Sequence, residues 1–149
     1  MSLTLAQLCT RISNAITAAG TETYPWKLSR EHPINLGEDS SSIKNGAFSV
    51  WSPQDRRFVP NERQRRPEGV HVEATIEVRF AWTIKGDGRA ASVTAAYDAE
   101  DVLRKAVAGI SRADLPFFVY DETNRELLED GETQRHTLRW IAHFTRELQ

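Results

Sequence analysis

A chain of 149 residues and 16.9 kDa is long enough for one domain with its own hydrophobic core. Hydrophobic residues at 40%, charged residues at 27% and a formal charge of −2 are ordinary for a soluble globular protein. They show neither the basic excess of a general nucleic-acid binder nor the acidic excess of a solvating tail.

The first segment predicts a helix over about 3–19. Leu5, Leu8, Ile12, Ile16 and Ala19 recur at three- and four-residue steps, which places them on one stripe. Ser2 or Thr4 suits the N-cap, and Gly20 sits where a C-terminal glycine belongs. Cys9, the one cysteine, shares the helical apolar spacing and reads as a small core residue. Alone, it excludes an intramolecular disulfide framework and any multi-cysteine zinc site. The opening MSLTLAQLCTR has no basic stretch followed by a continuous apolar run, so no signal peptide is expected. No run approaches the roughly 18 apolar residues of a membrane span. A reducing cytoplasm is the expected setting.

Residues 20–46 are rich in turn formers, ending in Asn45-Gly46, and predict only short regular structure. Tyr24, Trp26 and Ile34 are expected to tuck against the core. Ala47 to Trp51 reads as a short strand. The stretch 52–69, SPQDRRFVPNERQRRPEG, holds Pro53, Pro60 and Pro67 with Arg56, Arg57, Arg63, Arg65 and Arg66. Proline removes ladder donors, so an exposed loop between two strands is expected there.

Residues 70–85 carry the clearest pattern. Val70, Val72, Ala74, Ile76, Val78, Phe80, Trp82 and Ile84 alternate with polar residues, broken only at Ala81. Period two predicts an antiparallel strand with one buried face. Sixteen extended residues span about 53 Å, against a diameter of roughly 40 Å for a domain of this size. Such a strand must bend, break at a bulge or project, and a projecting apolar face needs a partner to cover it.

Gly86-Asp87-Gly88 ends that strand. A second helix is expected to start within 92–98 and end near Arg112, with Ala99, Val102, Leu103, Ala106, Val107 and Ile110 along one side. Asp98 is placed to cap it, and Glu100 and Asp101 to face the positive end of its dipole. Leu115 to Tyr120 reads as a strand. Asp130-Gly131 is a hairpin signal between Glu126–Glu129 and a final alternating strand over about 133–148. The fold class that follows is α+β. It is a two-layer sandwich with a mainly antiparallel sheet, two helices on one face and a long projecting strand or hairpin. No linker or repeat divides 1–149, so one domain is expected.

Catalytic motifs are missing: no GxSxG, P-loop, GxGxxG or HExxH occurs. His136 and His143 differ by an odd number and should face opposite sides of a strand. His71 and His143 share the polar face, so a metal site or acid–base pair with Glu73 or Glu77 is conceivable; solvated polar residues are the competing reading. Glu73 and Glu77 are roughly 13 Å apart along an extended strand, too far for a glycosidase pair. They read as partners of Arg79, Arg135 and Arg139 across strands. The chain has 15 Arg and 4 Lys, and rigid guanidinium forks suit a contact surface; genome composition produces the same bias. The Arg-rich stretch suits docking on an acidic protein surface or on phosphates, or is simply a solvated loop. Only Phe58 interleaves, which is a poor stacking platform for single strands.

The order of elements resembles a known family. An amphipathic helix and short strand lead to an insert, then VHVEATIEVRFAWTIK, then the helix YDAEDVLRKAVAGI, then the closing strand RHTLRWIAHFTREL. This is similar to the tail terminator (tail completion) proteins of long-tailed bacteriophages, the family of the lambda minor tail protein U. The resemblance implies a structural, non-enzymatic virion protein, assembled in the host bacterial cytoplasm and located in the tail or neck. It implies a homo-oligomer, a hexameric ring that caps the tail tube, stops its growth and meets the head connector or neck proteins. It implies no catalytic residue, cofactor or metal, no membrane and no direct nucleic-acid contact. Interface residues expected on the residues' own chemistry are Arg56, Arg57, Arg63, Arg65 and Arg66 in the insert and Glu73, Glu77 and Arg79 on the long strand. The alternatives are a head-closure or neck connector protein of the same virion and a small nucleic-acid-binding module.

Overall fold

The computed structural model describes residues 3–22, 25–29, 36, 45–57, 69–84, 88–113, 115 and 117–147. The elements run α1 (Leu5–Ala18), β1 (Lys27–Leu28), β2 (Ala47–Arg57), β3 (Gly69–Thr83), α2 (Arg89–Ala108), β4 (Phe117–Leu127) and β5 (Thr133–Glu147). The five strands form one sheet in the order β1-β2-β3-β5-β4, antiparallel except for the β1–β2 pair. Fold class and layering follow the sequence reading.

Helix α1 begins with a capping box. The Thr4 side chain accepts from the Gln7 N–H at 3.1 Å and the Gln7 side chain accepts from the Thr4 N–H at 2.9 Å. That satisfies two donors the first turn would leave bare. Leu8, Ile12 and Ile16 are fully buried. Cys9 is half-buried, and burial pushes its thiol above the ordinary range.

The region before β2 holds a strand that the pattern did not show. Lys27–Leu28 is too short for any periodicity to register, and it is built by backbone contact. The Lys27 N–H donates to the Gly46 carbonyl at 2.8 Å and the Ser29 N–H to Phe48 at 2.7 Å. Gly46 has φ 100, and a Cβ there would lie 1.7 Å from the Pro25 carbonyl oxygen. Only glycine fits. Trp26 is buried as expected, edge-on to Phe48 and Phe80. Tyr24 and Ile34 lie outside the described residues.

The expected loop at 52–69 is corrected for its first part. β2 runs on to Arg57, so Arg56 and Arg57 are strand residues. The ladder skips Ser52 and Pro53: Trp51 faces Glu77, and Gln54 then faces Thr75. Proline is tolerated because it occupies the bulge, where no ladder donor is needed. Residues 58–68, including Phe58, Arg63, Arg65 and Arg66, lie outside the described residues.

Helix α2 also departs from expectation. It starts at Arg89 and stops at Ala108, followed by the C-cap Gly109. The alanines at 90, 91, 95 and 96 extend the helix to a start ahead of the expected 92–98. Asp98 is therefore no cap, and Glu100 and Asp101 lie mid-helix, away from the dipole end. Asp101 pairs with Arg104 at 2.8 Å and Lys105 at 3.6 Å. Glu100 turns inward beside Ala96, Ala99, Leu103 and Val107.

β3 and β5 pair without a shift from Gly69–Glu147 to Thr83–Thr133. Val72, Ala74, Ile76, Val78, Phe80 and Trp82 of β3 are at most 5% exposed. They share one core cluster with Leu8, Ile12 and Ile16 of α1 and Leu103 and Val107 of α2. The expectation that this face needs another chain to cover it is overturned. The protomer's own helices cover it, because both present their apolar stripes to the same side of the sheet. β4 is one strand, where the sequence reading had separate pieces at Leu115–Tyr120 and Glu126–Glu129. It turns into β5 through Gly131, at φ 69. The Asp130 carboxylate accepts from the Glu132 and Thr133 N–H groups, each at 2.9 Å, which closes the turn.

Candidate functional site

Strand register sorts the polar residues into rows across the face of the sheet opposite the helices. One row holds Arg56, Glu73, His143 and Phe117 on β2, β3, β5 and β4. The Glu73 carboxylate accepts from Arg56 Nε at 3.0 Å and contacts His143 Nε2 at 2.9 Å. Phe117 stacks on His143 with centroids 4.4 Å apart. The His143 hydrogen bond, ahead of the opposing burial and aided by Arg56, holds the Glu73 carboxyl below its ordinary range.

A second row holds Trp51, Glu77, Arg139 and Glu122. Glu77 is only 4% exposed. Its oxygens accept from Trp51 Nε1 at 3.1 Å, Arg79 at 3.4 Å and Arg139 at 3.2 Å. Arg139 also reaches Glu122 at 2.6 Å. A third row pairs Arg135 with Glu126 at 2.7 Å, and Arg135 also donates to the Leu36 carbonyl at 3.4 Å. Leu36 is 2% exposed, and Ala81, on this same face, is fully buried. Burial, opposed by the charge of Glu77, draws the Arg79 guanidinium below its ordinary value. Glu77, Arg79, Arg139, Asn124, Thr137 and Glu126 line an open depression of about 360 Å³.

The expectation that Glu73 and Glu77 are surface charges paired with Arg79, Arg135 and Arg139 across strands is met only for Glu77 with Arg139. Glu77 is buried and also meets Arg79 on its own strand, and Glu73 meets Arg56 and His143. Arg79 and Arg139 meet Glu77, while Arg135 meets Glu126 on β4. Arg56 joins Glu73 from the strand that had been read as loop. His143 faces Glu73, and His71 is opposite Thr145 instead. Among the described residues, no group of three or more His, Cys, Asp or Glu side chains is arranged to hold a metal ion. Acids and bases alternate across this face, and Arg56, Arg79, Arg135 and Arg139 each pair with a carboxylate on it. Such a face suits specific contact with a complementary protein surface better than attraction of a phosphate backbone.

The sequence reading missed the second polar cluster, on the helix side. His136 is fully buried, stacked on Phe80 at 4.5 Å. Its Nδ1 donates to Glu100 Oε1 at 2.7 Å, and its Nε2 lies 3.1 Å from Gln134 Oε1. Arg125 reaches the same carboxylate with both arms of its fork, at 2.9 and 2.7 Å, and lies over the Tyr97 ring. Burial alone would raise the Glu100 carboxyl. The His136 and Arg125 hydrogen bonds, with the Arg125 charge, outweigh it and bring it down to about 2. The available signal was a histidine at an apolar-face position of β5, which requires a buried partner. The cluster ties α2 to β4 and β5 and so acts as a structural clasp.

The sequence reading also missed β4 as an exposed surface. Phe117, Val119, Tyr120 and Leu127 are 40–51% exposed along this outer strand.

No family model and no curated protein matches the sequence. Among solved structures, the type 4 fimbrial biogenesis protein PilO from Pseudomonas aeruginosa is similar at a TM-score of 0.41 and 6% identity, covering 95% of this chain and 70% of PilO. A chain from the virion of a native gene transfer agent particle is similar at a TM-score of 0.33 and 16% identity, covering 66% of this chain and 69% of that one. No described helix is long and apolar enough to cross a membrane.

Proposed function

We propose that this chain is a structural assembly protein of a phage-type tail, which caps the tail tube as a ring, stops its growth and provides the joint to the head. The observation that carries this reading is the order of elements: amphipathic helix, strand, insert, long alternating strand, helix and closing alternating strand. All of the alternating segments belong to one sheet. The charge ladder supports it, because a sheet face of paired Arg and Glu is a contact surface with built-in register. In this reading Arg56, Arg57, Arg63, Arg65 and Arg66 are contact residues, directed at the neighbouring ring, the tube or an adjoining copy. Glu73, Glu77 and Arg79 of the long strand contribute to contact between subunits. The chain works by contact, without catalysis or a cofactor.

The test is removal of this chain from a host that produces the particle, read by electron microscopy. Tubes of uncontrolled length, unattached to heads, are expected. Tails of normal length joined to heads overturn the proposal. Tails of normal length that fail to join heads assign the chain instead to a head-closure or neck ring. Reversing the insert arginines Arg63, Arg65 and Arg66 should leave the fold intact and abolish joining.

A further inference from the structure

We propose that β4 of one copy is joined, edge to edge and antiparallel, by the Arg56–Arg57 end of β2 from a second copy. This rests on the ring reading and names its seam. β4 is the outer strand on one side of the sheet and runs for 11 residues. Four of the six large apolar side chains exposed among the described residues lie on it: Phe117, Val119, Tyr120 and Leu127. Apolar edges are usually blunted by charge or proline; the charges of β4 begin at Asp121, and Phe117 to Tyr120 carries neither.

The opposite side of the sheet offers a complement. β1 covers only Ala47 and Phe48 of β2. Among the described residues, no strand lies outside β2 from Ser49 to Arg57. β2 and β4 run antiparallel within the sheet, so adding a second copy's β2 beside β4 extends the sheet in its own antiparallel pattern. Charge sets which ends meet. β4 carries Asp121, Glu122 and Glu126 against Arg125, while the end of β2 carries Arg56 and Arg57 against Asp55. The β4 ladder steps from Tyr120–Trp140 to Glu122–Arg139, which leaves exposed Asp121 outside the β5 register. A stagger of about four residues, of the kind a closing sheet requires, sets Arg57 against Asp121. Two different edges meet head to tail, so the joint repeats from copy to copy and closes a ring when the rotation permits.

Arg57 and Asp121 are suited to the test because neither forms an ion pair within the described residues. Arg57→Glu and Asp121→Lys should each weaken self-association about fivefold to tenfold, as expected for like charges set across a strand pair. An equimolar mixture of the two variants, or the double reversal, should regain association. In a Cys9→Ser background, Arg57→Cys mixed with Asp121→Cys should form a disulfide dimer under mild oxidation, which neither forms alone. An assembly that resists both reversals and shows no cross-link overturns the joint and leaves the ring reading to the tail-length experiment. Cross-linking of Asp121→Cys with itself overturns it in favour of a two-fold β4 contact. A monomer at every concentration, with no cross-link, also overturns it.

Discussion

Strand β5 carries two Glu–His contacts of nearly the same length on its opposite faces, and they do different physical work. His136 meets Glu100 at 2.7 Å inside the core, and His143 meets Glu73 at 2.9 Å on the open face. The Glu100 side chain is 7% exposed and that of Glu73 is 22% exposed. In the core, the carboxylate is held by two partners and is itself nearly shielded from solvent, so little water can replace either. On the open face, water can substitute for a lost partner at little cost. Distance alone does not rank such pairs; the solvent left around them does.

The sharpest way to break this comparison is Glu100→Ala. Arg125 and His136 would lose a shared buried acceptor, and a loss of about 4 kcal/mol is expected in urea unfolding. A loss below about 1 kcal/mol would mean that the clasp is not a stabilising element. Acid titration probes the same group. Glu100 sits at about 2 in the folded chain against 4.5 ordinarily, so the unfolded chain takes up its proton first as pH falls. The stabilisation is complete above about pH 4.5 and disappears as pH falls through about 2, a loss on the order of 3 kcal/mol. Glu100→Gln should flatten that part of the stability–pH curve, and an unchanged slope would assign it to other carboxylates. The smallest effect is expected for Glu73→Gln. Its carboxyl is also held low, but the cost should be about 0.5 kcal/mol and shrink in high salt. A penalty comparable to that of Glu100→Ala would erase the distinction between the faces.

The alternation from Val70 to Ile84 and the stripe from Leu5 to Ile16 were legible because one buried face imposes its period on the chain. The face assignments of His136 and His143 were legible for the same reason. Their partners were not, because register is set by which strands pair. Glu100 misled the reading because a carboxylate early in an expected helix has a dipole explanation. The helix in fact begins at Arg89, and its packing turns Glu100 inward. Arg56 and Arg57 were assigned to a loop because Pro53 argues against a strand, and a two-residue bulge removes that argument.

The amino-acid sequence alone determined the period of each long element, and hence the fold class and the polar character of one sheet face. Side chains on a strand or helix must follow its geometry wherever water is on one side only. Tertiary structure alone decided that both helices cover the long strand within one subunit, and which acid meets which base. It also left the apolar residues of β4 on an outer strand. Those outcomes depend on the order in which strands lie side by side, a long-range choice that local periodicity does not encode.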